Sequence, residues 1–168
     1  MIILMSVQHT GTRFTASFLE SLGVIYLQYH TDPKSVTRLA WETKNKAVIP
    51  VRDPLLAYLS THMRSPKRPS NLNEVIIRYD VMLEMEKRFE HVYLNLNTDD
   101  RSKELRKVAD FCGYPKDAGI NFTWSPVGNN AAEPIDLKMW EVLSDKLESG
   151  IKDMILNELG PYREHYGY

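Results

Sequence analysis

Short apolar runs alternate along this chain with segments whose apolar residues recur at helical spacing. Residues 2–7 form the first run, and residues 12–22 follow it as an amphipathic segment that stops at Gly23. Such a run is typical of a buried strand, and the segment after it is typical of a helix that covers one face of a sheet. The first two dozen residues therefore predict a strand, a tight turn and a helix.

The same alternation continues along the chain and predicts an α/β fold. Asp32 before Pro33 and Asp53 before Pro54 each combine a capping residue with a proline at the first helical position. Further strands are predicted over residues 24–29, 47–51 and 91–96, and further helices after each of these prolines and over residues 73–89, 100–112, 137–147 and 151–159. This order predicts a three-layer sandwich with a mostly parallel central sheet, in one domain over residues 1–168.

Two segments interrupt the pattern. Residues 66–69 hold prolines around Lys67 and Arg68, which predicts an exposed basic loop. Residues 114–134 have no periodicity and predict a long surface or functional loop.

The composition changes this picture little. Of 168 residues, 43% are hydrophobic and 26% charged, and the net charge of −1 gives no general attraction to nucleic acid or membranes. The apolar start is short and lacks a basic leader, so neither a signal peptide nor a membrane span is expected. Cys112 is the only cysteine, which excludes an internal disulfide and favours a reducing, cytoplasmic location.

The turn after the first strand has the features of an anion site. Thr10, Gly11 and Thr12 precede a helix whose first N–H groups are unpaired and whose dipole favours negative charge. Glycine also lets the backbone approach a ligand closely; the plainer alternative is that Gly11 is only a turn residue, but Thr10 and Thr12 beside it favour anion binding. The turn lacks the Gly-Lys-Ser/Thr ending of a Walker A motif, so ATP with magnesium is not its expected ligand.

Three more polar residues are predicted near this turn. His30 follows the second strand and Arg52 the third, and the carboxyl ends of parallel strands share one edge of a sheet. Ser60 lies about two helical turns beyond Arg52, so the guanidinium and the hydroxyl could share a phosphate. Two phosphate pockets in one cleft suit a nucleoside phosphorylated at both ends. The plainer alternatives are that Arg52 pairs with a helix carboxylate and that His30 is a surface or capping residue.

These residues resemble the sulfotransferases that use 3′-phosphoadenosine 5′-phosphosulfate (PAPS). The 5′-phosphosulfate loop of that family reads Pro-Lys/Arg-Ser-Gly-Thr-Thr and then Trp or Leu, and residues 8–14 here read Gln-His-Thr-Gly-Thr-Arg-Phe. Its 3′-phosphate site reads Arg-Asn/Asp-Pro with a Ser eight positions after the Arg, a spacing that residues 52–60 share. The resemblance implies a P-loop NTPase-like sulfotransferase architecture, with PAPS as co-substrate and no metal.

The resemblance also implies the site residues. His30 would be the catalytic base that takes the proton of the attacking hydroxyl, because imidazole accepts protons near neutral pH. His9 replaces the usual Lys or Arg, so the charge that stabilises the leaving phosphate would come from Arg13 or from protonated His9. In-line displacement would yield a sulfated product and adenosine 3′,5′-bisphosphate. The implied cofactor-binding residues are His9, Thr10, Gly11, Thr12, Arg13, Phe14, Arg52 and Ser60.

The acceptor and two competing functions stay open. The expected partner is a small-molecule or glycan acceptor, and a second copy of the chain could complete its pocket because the chain is shorter than typical relatives. The Arg-Lys-Gly loop of cytosolic family members has no counterpart, since residues 128–130 read Gly-Asn-Asn. The alternatives are a P-loop nucleotide or nucleoside kinase and a nucleotide-binding relative without turnover. No metal site is predicted, because His62, His91 and His165 lack the spacing of metal ligands.

Overall fold

The computed structural model describes residues 1–7, 10–31, 45–64, 71–115, 122–123 and 136–168. Within these ranges the strands are β1 (Ile2–Ser6), β2 (Tyr26–His30), β3 (Lys46–Val51) and β4 (Glu90–Asn95). The helices are α1 (Thr12–Ser21), α2 (Pro54–Arg64), α3 (Asn71–Glu86), α4 (Arg101–Phe111), α5 (Leu137–Ser144) and α6 (Ser149–His165). The predicted helix start at Asp32 and Pro33, the basic loop at 66–69 and most of the loop at 114–134 lie outside the described residues.

The four described strands form one sheet in the order β2-β1-β3-β4, and all neighbouring pairs are parallel. Strand β1 is buried along its whole length because it has a neighbour on each side and helices above and below. A continuous apolar sequence is what such a position requires. The parallel arrangement brings the carboxyl ends of the strands, and the loops that follow them, to one edge of the sheet.

Alternate residues of β1 supply two separate cores, one on each face of the sheet. Ile3 and Met5 join the larger core, which is completed by α2, α3, α5 and α6. Ile2 and Leu4 join the smaller core, which is completed by α1 and α4. Helices on both faces of the sheet are consistent with the predicted three-layer α/β sandwich. None of the described helices is both long and apolar enough to cross a membrane.

Aspartates cap the starts of three helices, and the first of these caps is the one that the Asp53-Pro54 motif predicts. The Asp53 carboxylate accepts a hydrogen bond from the Leu55 N–H at 2.9 Å at the start of α2. The Asp100 carboxylate accepts from the N–H of Lys103 at 3.0 Å at the start of α4. Asp136 caps α5 in the same way. Each cap satisfies a backbone donor that the helix itself leaves unpaired.

The last helix is longer than the pattern predicts. The glycine and proline at 160 and 161 suggest an end at Leu159, but α6 continues through Pro161 to His165. Tyr162 lies beyond the proline and is buried in the larger core, so tertiary packing outweighs the local preference. Pro161 has no N–H group to donate to the carbonyl one turn before it. Because Pro161 is exposed, water can bind that carbonyl instead.

Cys112 lies directly after α4 and packs against the smaller core. Burial raises the pKa of its thiol to about 11, while nearby Lys46 acts in the opposite direction. The thiol is therefore protonated at neutral pH and a poor nucleophile.

A buried carboxylate links three elements of the larger core. Glu86, at the end of α3, accepts hydrogen bonds from Tyr93 Oη of β4 at 2.9 Å and from Tyr166 Oη, just beyond α6, at 2.7 Å. His165 Nε2 lies 2.9 Å from the same carboxylate. Burial and the negative charge of Glu86 hold the pKa of Tyr166 far above its usual value, so both tyrosines remain donors. The carboxylate therefore fixes α6 against α3 and the sheet.

We expect Glu86→Ala to lower the free energy of unfolding by about 3 kcal/mol, because the substitution leaves the buried Tyr166 hydroxyl without its acceptor and removes the contact with Tyr93. Glu84→Ala is the matched control: Glu84 is on the same helix, but is exposed and forms an ion pair with the likewise exposed Lys87. It should change stability little. Urea unfolding of both variants provides the comparison, and equal midpoints would show that the Glu86 contacts do not stabilise the fold.

Candidate functional site

The connections that follow β1 and β3 leave the sheet on opposite faces. Strand β1 leads into α1 in the smaller core, whereas the adjacent strand β3 leads into α2 in the larger core. Such a reversal opens a crevice at the carboxyl ends of the two strands, and open parallel sheets bind ligands there. The turn before α1 lies on the β1 side of this crevice. Arg52, the residue after β3, lies on the other side.

Helix α1 begins without a side-chain cap. Its N-cap is Gly11, which supplies no side-chain hydrogen bond to the first turn, and that turn carries no acidic residue. Within the described part of the chain, no acceptor is recorded for the N–H groups of Thr12 and Arg13. These donors and the helix dipole give the crevice a positive end that suits an anion. Arg13 is exposed in the same turn and adds a full charge.

Gly11 is required by the fold as well as by any ligand. Its φ angle is 88°, in the left-handed region that side chains disfavour. A Cβ atom at this position would overlap the side chain of Leu96, which follows β4. The sequence suggests that glycine makes room for a ligand, but the space next to its Cα is filled by Leu96.

Two other predicted ligand residues use their side chains within the protein. Thr10 Oγ1 donates a hydrogen bond to the Val7 carbonyl at 2.7 Å and is buried. The ring of Phe14 packs edge-on against Phe122, with centroids 5.5 Å apart, and the Arg101 guanidinium lies 5.4 Å from the Phe14 centroid. In the described part of the turn, the candidate ligand groups are thus the backbone N–H groups and the exposed Arg13 side chain. His9 lies outside the described residues.

His30 is brought into contact with the turn by two hydroxyl groups. It is the last residue of β2 and pairs in register with Ser6, the last residue of β1. Ser6 Oγ lies 3.3 Å from His30 Nδ1, and Thr12 Oγ1 donates to Ser6 Oγ at 2.8 Å. The predicted base is therefore connected to the first residue of α1, although 18 positions separate the two in sequence.

Sequence reasoning missed Ser6. Its only signal was a hydroxyl side chain at the end of an otherwise apolar run, on the strand end that faces the predicted site. The strand register, which places Ser6 opposite His30, is what identifies Ser6 as part of the candidate site.

Arg52 directly follows β3 and is half-buried beside several polar groups. Burial lowers the pKa of its guanidinium, and interactions with Tyr79, Tyr168 and Asp53 oppose that shift. Tyr79 Oη also lies within 3.5 Å of the Arg52 carbonyl, to which it donates. Arginine keeps its charge despite such a shift, so Arg52 contributes a cation at this end of the crevice.

The ion pair recorded for Asp53 is with Arg163 of α6, a second residue that sequence reasoning missed. Arg163 Nε and Nη2 donate to the two carboxylate oxygens of Asp53 at 2.9 and 3.0 Å. Asp53 is thus held by a bidentate guanidinium at the same time as it caps α2. This arrangement fixes the backbone next to Arg52.

Ser60 lies on α2 as the spacing predicts, but its side chain is only 3% exposed. Among the described residues, no hydrogen-bond partner is recorded for its hydroxyl. A phosphate shared with Arg52 would have to reach this buried hydroxyl, so Ser60 is the least accessible of the predicted ligand residues.

Within the ranges that the structure describes, no group of three or more His, Cys, Asp or Glu side chains is arranged to hold a metal ion. Comparison of the chain with protein-family models, curated proteins and solved structures finds no match in any of the three.

Proposed function

We propose that this chain is a sulfotransferase that moves a sulfuryl group from PAPS to an acceptor hydroxyl or amine. The observation that carries the proposal is the crevice at the carboxyl ends of β1 and β3. It combines the uncapped start of α1, the cation of Arg52 and, through Ser6, a histidine at the end of β2. A P-loop NTPase-like sulfotransferase architecture is part of the same proposal.

The two sides of the crevice suit the two phosphate-bearing ends of the donor. The 5′-phosphosulfate would bind the N–H groups of Gly11, Thr12 and Arg13, with the Arg13 side chain as counter-ion. The 3′-phosphate would bind Arg52, and Ser60 would join it if the buried hydroxyl becomes accessible in the complex. The rigid support that Asp53 and Arg163 provide next to Arg52 favours a preorganised site.

The chemistry needs a base and a stabilised leaving group. The acceptor oxygen forms a bond to sulfur while the bond between sulfur and the bridging 5′-phosphate oxygen breaks. The proton of the acceptor hydroxyl passes to His30, and the electron pair of the broken bond stays on adenosine 3′,5′-bisphosphate. Backbone donors at α1 and Arg13 stabilise the negative charge that accumulates on the leaving oxygen.

The acceptor is a small molecule or a glycan in this proposal. Two other functions would use the same crevice: phosphoryl transfer by a P-loop nucleotide kinase, and nucleotide binding without turnover. The kinase is the weaker alternative, because residues 8–14 contain no lysine to hold a transferred phosphate.

Donor binding is tested by thermal unfolding with adenosine 3′,5′-bisphosphate and, separately, with ATP and magnesium. At about 100 times its dissociation constant, a ligand that binds only the native state stabilises it by roughly 2.7 kcal/mol. We expect the bisphosphate alone to raise the unfolding temperature. A shift with ATP and magnesium alone would instead favour the kinase, and no shift with either would exclude the proposed donor.

Arg52→Ala should weaken bisphosphate binding about 10- to 100-fold, since a charged hydrogen-bond donor to phosphate is lost. Arg106→Ala, which removes an exposed arginine of α4, is the control and should leave the affinity unchanged. Titration calorimetry measures both variants. Equal affinities would remove Arg52 from the 3′-phosphate site.

His30→Ala should reduce turnover about 100- to 10,000-fold and leave bisphosphate affinity nearly unchanged, because a base acts on the acceptor rather than on the donor. His91→Gln is the control, since His91 lies near the amino end of β4, whereas His30 lies at the carboxyl end of β2. Release of adenosine 3′,5′-bisphosphate from PAPS, with a panel of phenols and sugars as acceptors, measures turnover. Unchanged turnover in the His30 variant would exclude its role as base.

A further inference from the structure

The start of α2 places a negative charge directly beside Arg52. Asp53 is buried and caps the helix, because its carboxylate accepts a hydrogen bond from the Leu55 N–H at 2.9 Å. The helix needs an acceptor at this position but not a charged one, since asparagine caps a helix about as well as aspartate. A buried carboxylate next to Arg52 also repels any anion that the guanidinium attracts. The cap and an anion site therefore make opposite demands on the charge of residue 53.

Arg163 brings the opposite charge to both oxygens of this carboxylate. It lies 110 positions later in the sequence, and its Nε and Nη2 donate to Asp53 Oδ1 and Oδ2 at 2.9 and 3.0 Å. The Asp53 side chain is 3% exposed and that of Arg163 28% exposed, so water and salt screen the pair only in part. The charge of Asp53 is thus compensated within the protein.

Two tyrosines also act on Arg52, but they carry no charge. Burial lowers the pKa of the Arg52 guanidinium, and Tyr79, Tyr168 and Asp53 oppose that shift. Burial, together with the charge of Asp53, raises the pKa of both Tyr79 and Tyr168, so both phenols are neutral at physiological pH. Arg52, Asp53 and Arg163 together carry one positive charge, and without Arg163 these positions would carry none.

We propose that Arg163 is the counter-ion that cancels the charge of Asp53, so that a phosphate of the donor can bind beside Arg52. The inference rests on the proposed function, since the anion is taken to be the 3′-phosphate of PAPS. Arg163 is a positioning residue, because it acts on the phosphate through Asp53. It allows aspartate to cap α2 without closing this end of the crevice to anions.

A purely mechanical role for the same pair makes a different prediction. If Asp53 and Arg163 only hold α6 against the start of α2, the loss of either side chain loosens the site and weakens binding. If Arg163 cancels the charge, the loss of the Asp53 charge and the loss of the Arg163 charge have effects of opposite sign. The direction of each change therefore distinguishes the two roles.

The test is titration calorimetry of the whole chain with adenosine 3′,5′-bisphosphate and, separately, with inorganic phosphate. We expect Arg163→Met to weaken binding about 10-fold and Asp53→Asn to tighten it about 3- to 10-fold, because they change the local charge in opposite directions. The double variant lacks both charges and should bind within about threefold of the original chain. The differences should be smaller in about 1 M salt than in about 0.1 M salt.

Two further variants serve as controls. Arg163→Lys keeps the charge but not the bidentate geometry, so it should retain most of the affinity. Lys152→Met removes a positive charge near the other end of α6 and should leave the affinity unchanged. Circular dichroism shows whether each variant is folded. Should Arg163→Met fail to fold, Asp53→Asn and the double variant decide the question, because neither leaves a buried carboxylate unpaired.

The outcomes separate this inference from the proposed function. Binding to Asp53→Asn that is no tighter than to the original chain, or unchanged affinity in folded Arg163→Met, would overturn the counter-ion role and leave the donor site intact. If inorganic phosphate binds with the expected order of affinities and the bisphosphate does not bind, the counter-ion role stands and the proposed donor is rejected. Binding of neither probe would overturn both.

Discussion

Parallel pairing of β1 with both β2 and β3 is the constraint on which the candidate site depends. Since all three strands run in the same direction, their following residues meet at one edge although they are far apart in sequence. The apolar sequence of β1 makes it central, and its two neighbours then carry His30 and Arg52 to either side of the turn at Gly11. The polar groups of the site are therefore close together because β1 is buried between the two strands that they follow. Strand β1 itself contributes one hydroxyl group to the site, that of Ser6.

Rigid contacts surround the crevice on the side of β3. Asp53 joins the cap of α2 to Arg163 of α6, and Glu86 joins α6 to α3 and β4. The side of β1 and β2 is built differently, from two hydroxyl groups whose protons can rotate. Fixed positions next to Arg52 suit binding, whereas adjustable hydrogen bonds next to His30 suit a step in which a proton moves.

Sequence periodicity predicted the element order and the parallel sheet, and the Asp-Pro motif predicted the cap at Asp53, because these depend on local composition and on the face that each segment buries. The predicted end of α6 was wrong: the helix continues beyond Leu159, because contacts of Tyr162 with the larger core override the local effect of Pro161. Sequence periodicity did not predict individual contacts such as Ser6 with His30 or Asp53 with Arg163. They depend on strand register and on the docking of a distant helix, neither of which leaves a periodic signal.

The register between β1 and β2 has a consequence for how this chain can vary. A slip of one residue would turn His30 to the opposite face of the sheet and bring Tyr29 beside Ser6. The turn at residues 22–25 sets that register, and it contains Gly23 in a left-handed conformation. A surface turn ordinarily tolerates insertions and deletions. In this turn they would shift the strand register and so change which side chain lies beside Ser6.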